Sequence, residues 1–451
     1  MTNEKGNRIG FVILLFLCFS ANFPCCFSAA NQRQKVQSTK KSAAQPNGFE
    51  SSAVLPVRGN VYPLGYYSVS LKIGRPPKLF DLDIDSGSDL TWVQCDAPCT
   101  GCTRPKDRLY KPINNVLHCS DPLCNAVEAP CETPHDQCDY EVEYADYGSS
   151  LGVLVKDYFP LRFTNGSLLA PHLAFGCGYD QKYTGAHAPP STAGVLGLGN
   201  GKASILTQLS RLGLTRNVGG HCLSGQGGFI FFGDEVVPSS GITWTPMSRN
   251  SFEKYYSSGP AELFFGGKRT GVKGLDMVFD SGSSYTYFNS QAYGTIVNLV
   301  KNDLNGNPLK DTTQDQSLPV CWKGTKTFKS VQDVKNYFKP LALIFTNAKN
   351  VQLLLPPEAY LIVTRHGNVC LGILNGTQVG LGNLNIIGDI SLQDKMVIYD
   401  NEKQQIGWAS ENCNRIPNVD REYFGGFSQP LAAGNLDIMA EYCPASRLPK
   451  H

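Results

Sequence analysis

The sequence predicts a mostly β protein made of two similar lobes. Short runs of alternating apolar and polar residues, separated by Gly, Pro, Asn and Asp, fill most of the chain from Tyr66 onward, as is typical of strands. The tripeptide Asp-Ser-Gly occurs at 85–87 and again at 280–282, each time after an apolar run. Each copy is followed, at a similar distance, by an apolar pair and a glycine, in AGVLGLG at 193–199 and LNIIGDI at 384–390. This repeated order predicts a duplicated β lobe.

Local patterns place the individual elements. Two segments, 204–214 and 290–304, have helical spacing, with apolar residues recurring on one face. Those faces consist of Ile205, Leu209 and Leu212 in the first segment and of Ile296, Val300 and Leu304 in the second. The predicted strands are YYSVSLKI, FDLDI, DYEVEY, VLVKDYFPLRF, GGFIFFG, MVFD, LALIF, VQLLL and KMVIYD.

The N-terminal part has the composition of a targeting segment followed by a leader. Lys5 and Arg8 precede the apolar run IGFVILLFLCFSANF, and small residues at 28–30 fit cleavage by signal peptidase. Residues 1–30 are therefore predicted to be a secretory signal peptide, with an uncleaved anchor as the alternative. Residues 31–64 are polar and basic, typical of a flexible leader or propeptide. Lysines in this leader could cover an acidic cleft and inhibit it, or the leader could be a plain spacer.

The rest of the chain is predicted to form two lobes and a tail. The repeated elements place the boundary between the lobes near 235–250, and we take 65–240 as the first lobe and 241–413 as the second. Residues 414–451 form a polar tail without the hydrophobic end of a lipid-anchor signal. No stable membrane anchor is expected.

Cysteine usage agrees with export. The sequence has 16 cysteines, seven of which crowd into an insertion at 95–138. Behind a signal peptide this pattern favours disulfides over a zinc site, although the pairing within the insertion cannot be read from spacing. Cys443 stands alone in the tail and is the candidate for an unpaired thiol. The sequons at Asn165 and Asn375 are open to glycosylation in the same secretory pathway, which leads to the extracellular space (apoplast) or the vacuole.

The charge balance excludes several classes of partner. The chain has 40 Lys and Arg against 38 Asp and Glu, which gives no support to nucleic-acid or polybasic membrane binding. The histidines show no close metal-ligand spacing, so no metal is predicted. Asp81 and Asp83 have the spacing of a phosphotransfer motif, but the chain lacks the α/β pattern on which that chemistry occurs. Both are expected to point outward from a strand.

The two Asp-Ser-Gly turns support a specific chemistry if the lobes bring them together. Glycine allows a sharp turn, and the flanking hydroxyls can hydrogen-bond a carboxylate and fix its orientation. Two carboxylates about 3 Å apart cannot both be charged, so they share one proton over a wide acidic range. One acid then acts as the base and the other as the donor, so the pair can activate water against a peptide carbonyl.

Taken together, these motifs resemble the pepsin-like aspartic proteases from Tyr66 to Cys413. The resemblance implies a bilobal pepsin-like acid protease fold, with an active-site cleft between two pseudo-twofold-related β lobes. It also implies an endopeptidase favoured at acidic pH that uses no cofactor. The cysteine-rich insertion, FGCG at 175–178 and HCL at 221–223 are similar to the plant nepenthesin and nucellin-like subgroup. The family motifs are Asp85-Ser86-Gly87-Ser88, Asp280-Ser281-Gly282-Ser283, both apolar-apolar-Gly elements and Trp92.

The resemblance implies roles for individual residues. Asp85 and Asp280 would be the catalytic pair. The serine at the fourth position of each motif would orient the acid, and the serine at the second position would brace the two turns against each other. The family more often has Thr at the bracing position, and serine, which lacks the methyl group, could loosen the brace. The supporting residues are Ser86, Gly87 and Ser88 in the first turn and Ser281, Gly282 and Ser283 in the second.

A hairpin at 141–152 resembles the flap that closes the cleft in this family. Tyr144 fits the flap tyrosine best, with Tyr147 as the alternative. Trp92 would support the flap, or would be an ordinary core residue. A protein or peptide substrate would bind in an extended form across both lobes, and the enzyme is expected to be a monomer.

The resemblance also implies two disulfides, Cys321–Cys370 and Cys222–Cys413. The full set of disulfide candidates is Cys95, Cys99, Cys102, Cys119, Cys124, Cys131, Cys138, Cys177, Cys222, Cys321, Cys370 and Cys413.

A second class of function stays open. A noncatalytic relative could use the cleft to bind a protein, for example as a hydrolase inhibitor. The resemblance implies that such members have usually lost an Asp or part of an Asp-Ser-Gly motif. Both motifs are intact in this sequence, so the enzyme is the leading hypothesis.

Overall fold

The computed structural model describes residues 51–183, 191–248, 254–349 and 351–417, all within one compact unit of the chain. Strands dominate these residues and confirm the predicted mostly β fold. The predicted signal peptide, the leader up to residue 50 and the tail from residue 418 lie outside the described residues. Within the described ranges, none of the helices combines the length and the apolar character that a membrane span requires.

The strands are short and alternate between buried and exposed positions where one face meets solvent, as in Tyr66–Ile73. Those of the first half, β1 to β13, are Ala53–Asn60, Tyr66–Ile73, Lys78–Asp85, Trp92–Gln94, Asp139–Glu143, Ser149–Tyr158, Leu161–Arg162, Leu168–Leu169, His172–Lys182, Gly194–Gly197, Val218–Ser224, Gly227–Phe232 and Thr243–Pro246. Those of the second half, β14 to β27, are Tyr256–Phe265, Lys268–Arg269, Leu275–Phe279, Thr286–Phe288, Lys310–Asp311, Cys321–Lys323, Leu341–Phe345, Val351–Leu355, Leu361–Val363, Val369–Leu371, Ile373–Asn375, Asn385–Ile387, Lys395–Asp400 and Gln405–Ser410.

Two large sheets contain most of these strands. One has thirteen strands in the order β13-β27-β26-β11-β12-β1-β2-β3-β10-β4-β9-β6-β5. The other is an eight-stranded sheet that includes β21-β20-β14-β16-β25-β17-β24 in sequence, with β15 paired to β14. Smaller sheets are formed by β18-β19-β23-β22 and by β7-β8.

The same parallel pairing occurs in both halves and explains the repeated spacing. β10 lies parallel to β3, with Gly197 opposite Asp85. β25 lies parallel to β16, with Ile387 opposite Phe279, the residue before Asp280. Each apolar-apolar-Gly element therefore packs beside the strand that leads into an Asp-Ser-Gly turn.

The predicted leader extends too far into the folded protein. Residues 53–60, assigned to the leader, form β1, which pairs with β12 and with β2 in the middle of the thirteen-stranded sheet. The buried side chains of Ala53, Val54, Leu55 and Val57 supply the physical reason, because they face apolar surroundings on both sides of the sheet.

The predicted lobe boundaries also differ from the sheet membership. β13, β26 and β27 were assigned to the second lobe, but they complete the thirteen-stranded sheet, with His221 of β11 opposite Val397 of β26. Strand pairing across the chain, which a sequence pattern does not report, therefore joins the two halves through a shared sheet.

In the described ranges the helices are few and short. Both predicted helices form, over Ile205–Arg211 and Ser290–Asp303. Their N-terminal caps are Ser204, which accepts a hydrogen bond from the Thr207 N–H, and Asn289, which accepts one from Ala292. In chain order the α-helices are α1 Pro122–Ala126, α2 Ile205–Arg211, α3 Ser290–Asp303 and α4 Asp389–Leu392, and the 3-10 turns are Lys106–Arg108, Val331–Asp333, Lys335–Tyr337, Pro357–Ala359 and Gly376–Val379.

All twelve candidate cysteines lie in disulfides. Cys321–Cys370 and Cys222–Cys413 are the two pairings that the resemblance implied. In and around the insertion, the pairs are Cys95–Cys177, Cys99–Cys102, Cys119–Cys131 and Cys124–Cys138.

We predict that these disulfides contribute very unequally to stability. Cys222 and Cys413 are 191 residues apart, whereas Cys99 and Cys102 are 3 apart. Because a longer closed loop removes more entropy from the unfolded chain, replacing the first pair by Ala should cost about 3 kcal/mol more unfolding free energy than replacing the second. Urea unfolding of the two double variants measures this difference. Equal losses of unfolding free energy would contradict the prediction that Cys222–Cys413 stabilises the protein more than Cys99–Cys102.

Candidate active site

The first Asp-Ser-Gly turn begins at the end of β3 and holds a fully buried carboxylate. Asp85 is the last residue of the strand. The Gly87 N–H donates to Asp85 Oδ1 at 2.8 Å, and the Ser88 hydroxyl donates to Oδ2 at 2.5 Å. Each carboxylate oxygen thus has a donor supplied by its own turn, which fixes the plane of the carboxylate.

The second turn repeats this arrangement. Asp280 directly follows β16 and is also fully buried. The Gly282 N–H donates to Asp280 Oδ1 at 2.8 Å, and the Ser283 hydroxyl donates to Oδ2 at 2.7 Å. The two acids are therefore held by the same pair of donors in each half.

The two turns meet through a reciprocal pair of hydrogen bonds. The Ser86 N–H donates to Ser281 Oγ at 3.1 Å, and the Ser281 N–H donates to Ser86 Oγ at 2.9 Å. The bracing serines predicted from the sequence thus contact each other directly.

Gly282 shows how close the two carboxylates lie. A Cβ atom at this position would sit 2.5 Å from Asp85 Oδ1 and 3.2 Å from Asp280 Oδ1. Both oxygens therefore surround a single point, and only glycine leaves it open. The two carboxyl groups, both fully buried, therefore lie next to each other beside this glycine.

The predicted flap is a hairpin of β5 and β6, and its two tyrosines differ in burial. Tyr144, just after β5, is buried, and its hydroxyl accepts a hydrogen bond from Trp92 Nε1 at 2.7 Å. Tyr147 lies further along the turn and is 53% exposed. A Cβ on Gly380, in the second half of the chain, would lie 2.8 Å from the Tyr147 hydroxyl, so the tip of the hairpin reaches that half. Trp92 is both a core residue and the hydrogen-bond partner of Tyr144.

Sequence reasoning missed a third acid close to the pair. Asp389 follows the second apolar-apolar-Gly element, is almost completely buried, and donates its N–H to the Ser283 carbonyl at 2.7 Å. Burial, followed by the charges of Asp280 and Asp85, holds its pKa well above the usual range. The signal was readable in the sequence, because the corresponding residue of the first element is Leu198.

A further buried acid, Asp89, follows the first turn. Burial raises its pKa to about 6, against the opposing effect of Lys254. Gly201 packs directly on it, since a Cβ there would lie 1.7 Å from Asp89 Oδ2. Asp89 is therefore enclosed by the segment that carries Gly197 and Gly201.

The expectation that Asp81 and Asp83 point outward is wrong for Asp83. Asp81 is half-buried and accepts a hydrogen bond from the Ser70 hydroxyl. Asp83 is buried, and the Thr192 hydroxyl donates to its Oδ2 at 3.0 Å. The reason is that β10 pairs alongside this end of β3, with Val195 opposite Asp83, so the strand is covered as it approaches the site.

Two clusters in the described part of the chain have the arrangement of metal ligands, but their cysteines are already used. Every cysteine in them is part of a disulfide, which does not provide the thiolate that zinc binds. The clusters are Cys119 with Cys124 and Cys131, and Asp315 with Cys321 and Cys370.

The two glycosylation sequons differ in their surroundings. Asn165 is exposed in the turn between β7 and β8. Asn375 is half-buried, and its side-chain oxygen accepts hydrogen bonds from the Thr377 N–H and the Ser290 hydroxyl. Glycosylation at both remains a prediction, with Asn165 the more accessible acceptor.

We predict that Asp89 makes the protein less stable as the pH rises towards neutrality. Its folded-state pKa is raised from 3.8 to about 6, so the stability it contributes is complete below pH 3.8 and is lost as pH rises through about 6. At 1.36 kcal/mol per pKa unit, this loss is about 3 kcal/mol between pH 4 and pH 7. Asp89→Asn should remove that part of the pH dependence in urea unfolding, whereas the exposed Glu132→Gln should not. An unchanged slope in Asp89→Asn would refute the assignment.

Known sequence profiles match both halves of the chain. One sequence profile, described as xylanase inhibitor N-terminal, matches residues 67–234, and another, described as xylanase inhibitor C-terminal, matches residues 261–410. An aspartic proteinase of Oryza sativa subsp. japonica is 44% identical over 386 residues, which cover 82% of this chain and 93% of that protein. Aspartic proteinase nepenthesin-1 of Nepenthes gracilis is 26% identical over 403 residues, or 84% of each chain.

The solved structures are similar to this chain in fold only. The crystal structure of basic 7S globulin from soybean matches with a TM-score of 0.63 at 18% sequence identity, and the match covers 81% of this chain and 99% of that one. With profiles matching both halves and a relative of this similarity, the chain belongs to the pepsin-like aspartic protease family.

Proposed function

We propose that the protein is an aspartic endopeptidase that hydrolyses peptide bonds with water activated between Asp85 and Asp280. The observation that carries this proposal is the meeting of two buried carboxyls, each held by a glycine N–H and a serine hydroxyl from its own turn. A homologue that had lost this chemistry would have no need to keep both sets of donors.

The reaction follows from the sharing of one proton. The charged carboxylate takes a proton from a water molecule as the water oxygen attacks the peptide carbonyl carbon. The protonated carboxyl donates its proton to the carbonyl oxygen, which gives a tetrahedral diol without a covalent enzyme intermediate. Collapse of the diol returns a proton to the leaving nitrogen. The pair needs one proton to start, so activity is favoured at acidic pH and the steps require no cofactor.

The substrate proposed is a protein or peptide in extended form. The flap is a two-stranded hairpin at the edge of the thirteen-stranded sheet, so it can hydrogen-bond an extended backbone as an added strand. Its tip already lies near Gly380 across the cleft. A peptide between the acids and the flap would therefore be enclosed from both halves.

The proposed compartment is the secretory pathway, ending in the extracellular space or the vacuole. The six disulfides of the described residues require an oxidising environment to form. The basic residues and apolar run at the N-terminus of the sequence support the same proposal.

A noncatalytic, hydrolase-binding module is the second candidate, and the description of the matching profiles as xylanase inhibitors favours it. Digestion of casein or haemoglobin by the processed protein from pH 3 to pH 7, with and without pepstatin, separates the two. Pepstatin-sensitive cleavage supports the endopeptidase. Folded, processed protein that cleaves nothing but inhibits a xylanase would establish the second candidate instead.

We predict that Asp85→Asn and Asp280→Asn each lower kcat by at least about a hundredfold, because each removes a proton acceptor or donor from the reaction. Folding should be retained, since an amide is nearly isosteric and still accepts hydrogen bonds. Asp81→Asn, in the same strand as Asp85, is the matched control and should keep wild-type turnover. Peptide hydrolysis at pH 4 measures all three. Wild-type activity in either site variant would overturn the proposed dyad.

We also predict that Trp92→Phe impairs the flap, because it removes the indole N–H that donates to the Tyr144 hydroxyl. The expected effect is about a tenfold loss of kcat/KM, the equivalent of one well-placed hydrogen bond. Trp244→Phe, in β13 outside the site, controls for the loss of an indole. If both variants behave alike, the bond between Trp92 and Tyr144 does not position the flap for substrate.

A further inference from the structure

A buried chain of hydrogen bonds runs beneath the two acids and is not used by the chemistry described so far. His221 Nε2 lies 3.1 Å from the Tyr399 hydroxyl, which in turn donates to Ser86 Oγ at 3.3 Å. The Ser86 hydroxyl donates to the Phe279 carbonyl at 2.9 Å. That carbonyl belongs to the peptide unit leading into Asp280, so the chain starts in β11 and ends at the second catalytic turn.

Counting hydrogens gives this chain one direction. Ser86 has a single hydroxyl hydrogen, which it gives to Phe279, so its oxygen must accept from both the Ser281 N–H and the Tyr399 hydroxyl. Tyr399 likewise has one hydrogen, which it gives to Ser86. The Tyr399 oxygen can then only accept from His221, so the imidazole must carry its hydrogen on Nε2.

The burial of His221 agrees with a neutral ring in this tautomer. Burial lowers the pKa of His221 to about 3, so the ring stays uncharged under mildly acidic conditions. Nδ1, which bears no hydrogen in the Nε2–H form, is buried without a hydrogen-bond partner in the described part of the chain. Burial raises the pKa of the Tyr399 hydroxyl well above its usual range, with smaller contributions from Tyr256, Asp280 and Asp389 that oppose the lowering effect of the bond to Ser86, so the hydroxyl keeps its hydrogen.

The surrounding strands hold the chain in position. The Tyr399 ring stacks on Tyr256, with centroids 3.8 Å apart and planes 9° from parallel. β26, which carries Tyr399, pairs with β11, which carries His221. Ser86, by contrast, has a small side chain that can rotate among three staggered positions, and the directed bonds select one of them.

We propose that Tyr399 and His221 are positioning residues that fix the Ser86 hydroxyl, and through it the brace between the two catalytic turns. This inference deepens the proposed function and its kinetic part rests on it. Neither residue touches the reacting atoms. Their hydroxyl and imidazole N–H orient the Ser86 side chain, which belongs to the first turn and bonds the second half at both Ser281 and Phe279.

The kinetic test compares variants that remove one hydrogen-bonding group at a time. Tyr399→Phe should lower kcat about fivefold to tenfold at saturating peptide with KM little changed, and should also lower the thermal midpoint because the buried His221 N–H loses its acceptor. Tyr256→Phe is the matched control, since it removes a hydroxyl from the same stacked pair outside the chain, and it should keep wild-type kcat. His221→Gln, whose amide can still donate to Tyr399, should retain more activity than His221→Leu. Wild-type kcat in Tyr399→Phe, with an active parent, overturns the positioning role.

A spectroscopic test is independent of activity. In protein labelled with ¹⁵N-histidine, the resonances of His221, assigned by their absence in His221→Gln, should show a neutral Nε2–H tautomer from pH 7 to pH 4. Tyr399→Phe should shift the Nε2 resonance, and Tyr256→Phe should not. An Nδ1–H tautomer, or protonation near pH 6.5, overturns the directed chain. A wild-type protein that cleaves no peptide overturns the proposed function and the kinetic role together. The ¹⁵N spectrum still tests the direction of the hydrogen-bond chain in that case.

Discussion

Two carboxyl groups buried side by side are the constraint on which the rest of this structure depends. Away from water their mutual repulsion and desolvation are both large, so they need donors that cannot move away. The fold supplies these from the turns that carry the acids, as Gly87, Ser88, Gly282 and Ser283. The Ser86–Ser281 brace then fixes the separation between the two turns. The thirteen-stranded sheet also holds the two halves of the chain together, because it pairs β11 with β26.

Much of the fold depends on local sequence patterns and could be predicted from them. Alternation of apolar residues indicates strands, and the duplicated Asp-Ser-Gly and apolar-apolar-Gly elements indicate two related halves. The parallel pairing of each glycine element with its acid-bearing strand gives their similar spacing a structural cause. The helices were equally readable, since their apolar faces and the caps Ser204 and Asn289 are local features.

Features that depend on contacts between distant segments could not be predicted in this way. β1 looks like part of a polar leader until β12 is placed beside it. Asp83 alternates as an outward residue should, and is buried only because Thr192 and β10 cover it. His221 is a further example. In the sequence it is only part of the HCL motif, and its hydrogen-bond partner, Tyr399, lies 178 positions away along the chain. The pairing of seven crowded cysteines is also a property of the folded insertion.

The proposed reaction needs one acid and one base from a nearly symmetric pair, and the departures from symmetry bear on how these roles would be assigned. The donors around Asp85 and Asp280 are alike, so on their own they would leave the shared proton with no preferred side. The surroundings are not alike. The backbone N–H groups of Asp389 and Leu198 both bond to their own turns, but Asp389 adds a buried carboxyl near Asp280 where the first half has an apolar side chain. The hydrogen-bond chain from His221 passes through Ser86, the residue after Asp85, and ends on the Phe279 carbonyl, so it has no counterpart that starts from the other turn among the bonds described above. Unequal environments separate the proton affinities of two like groups, and that separation lets one carboxyl donate while the other accepts.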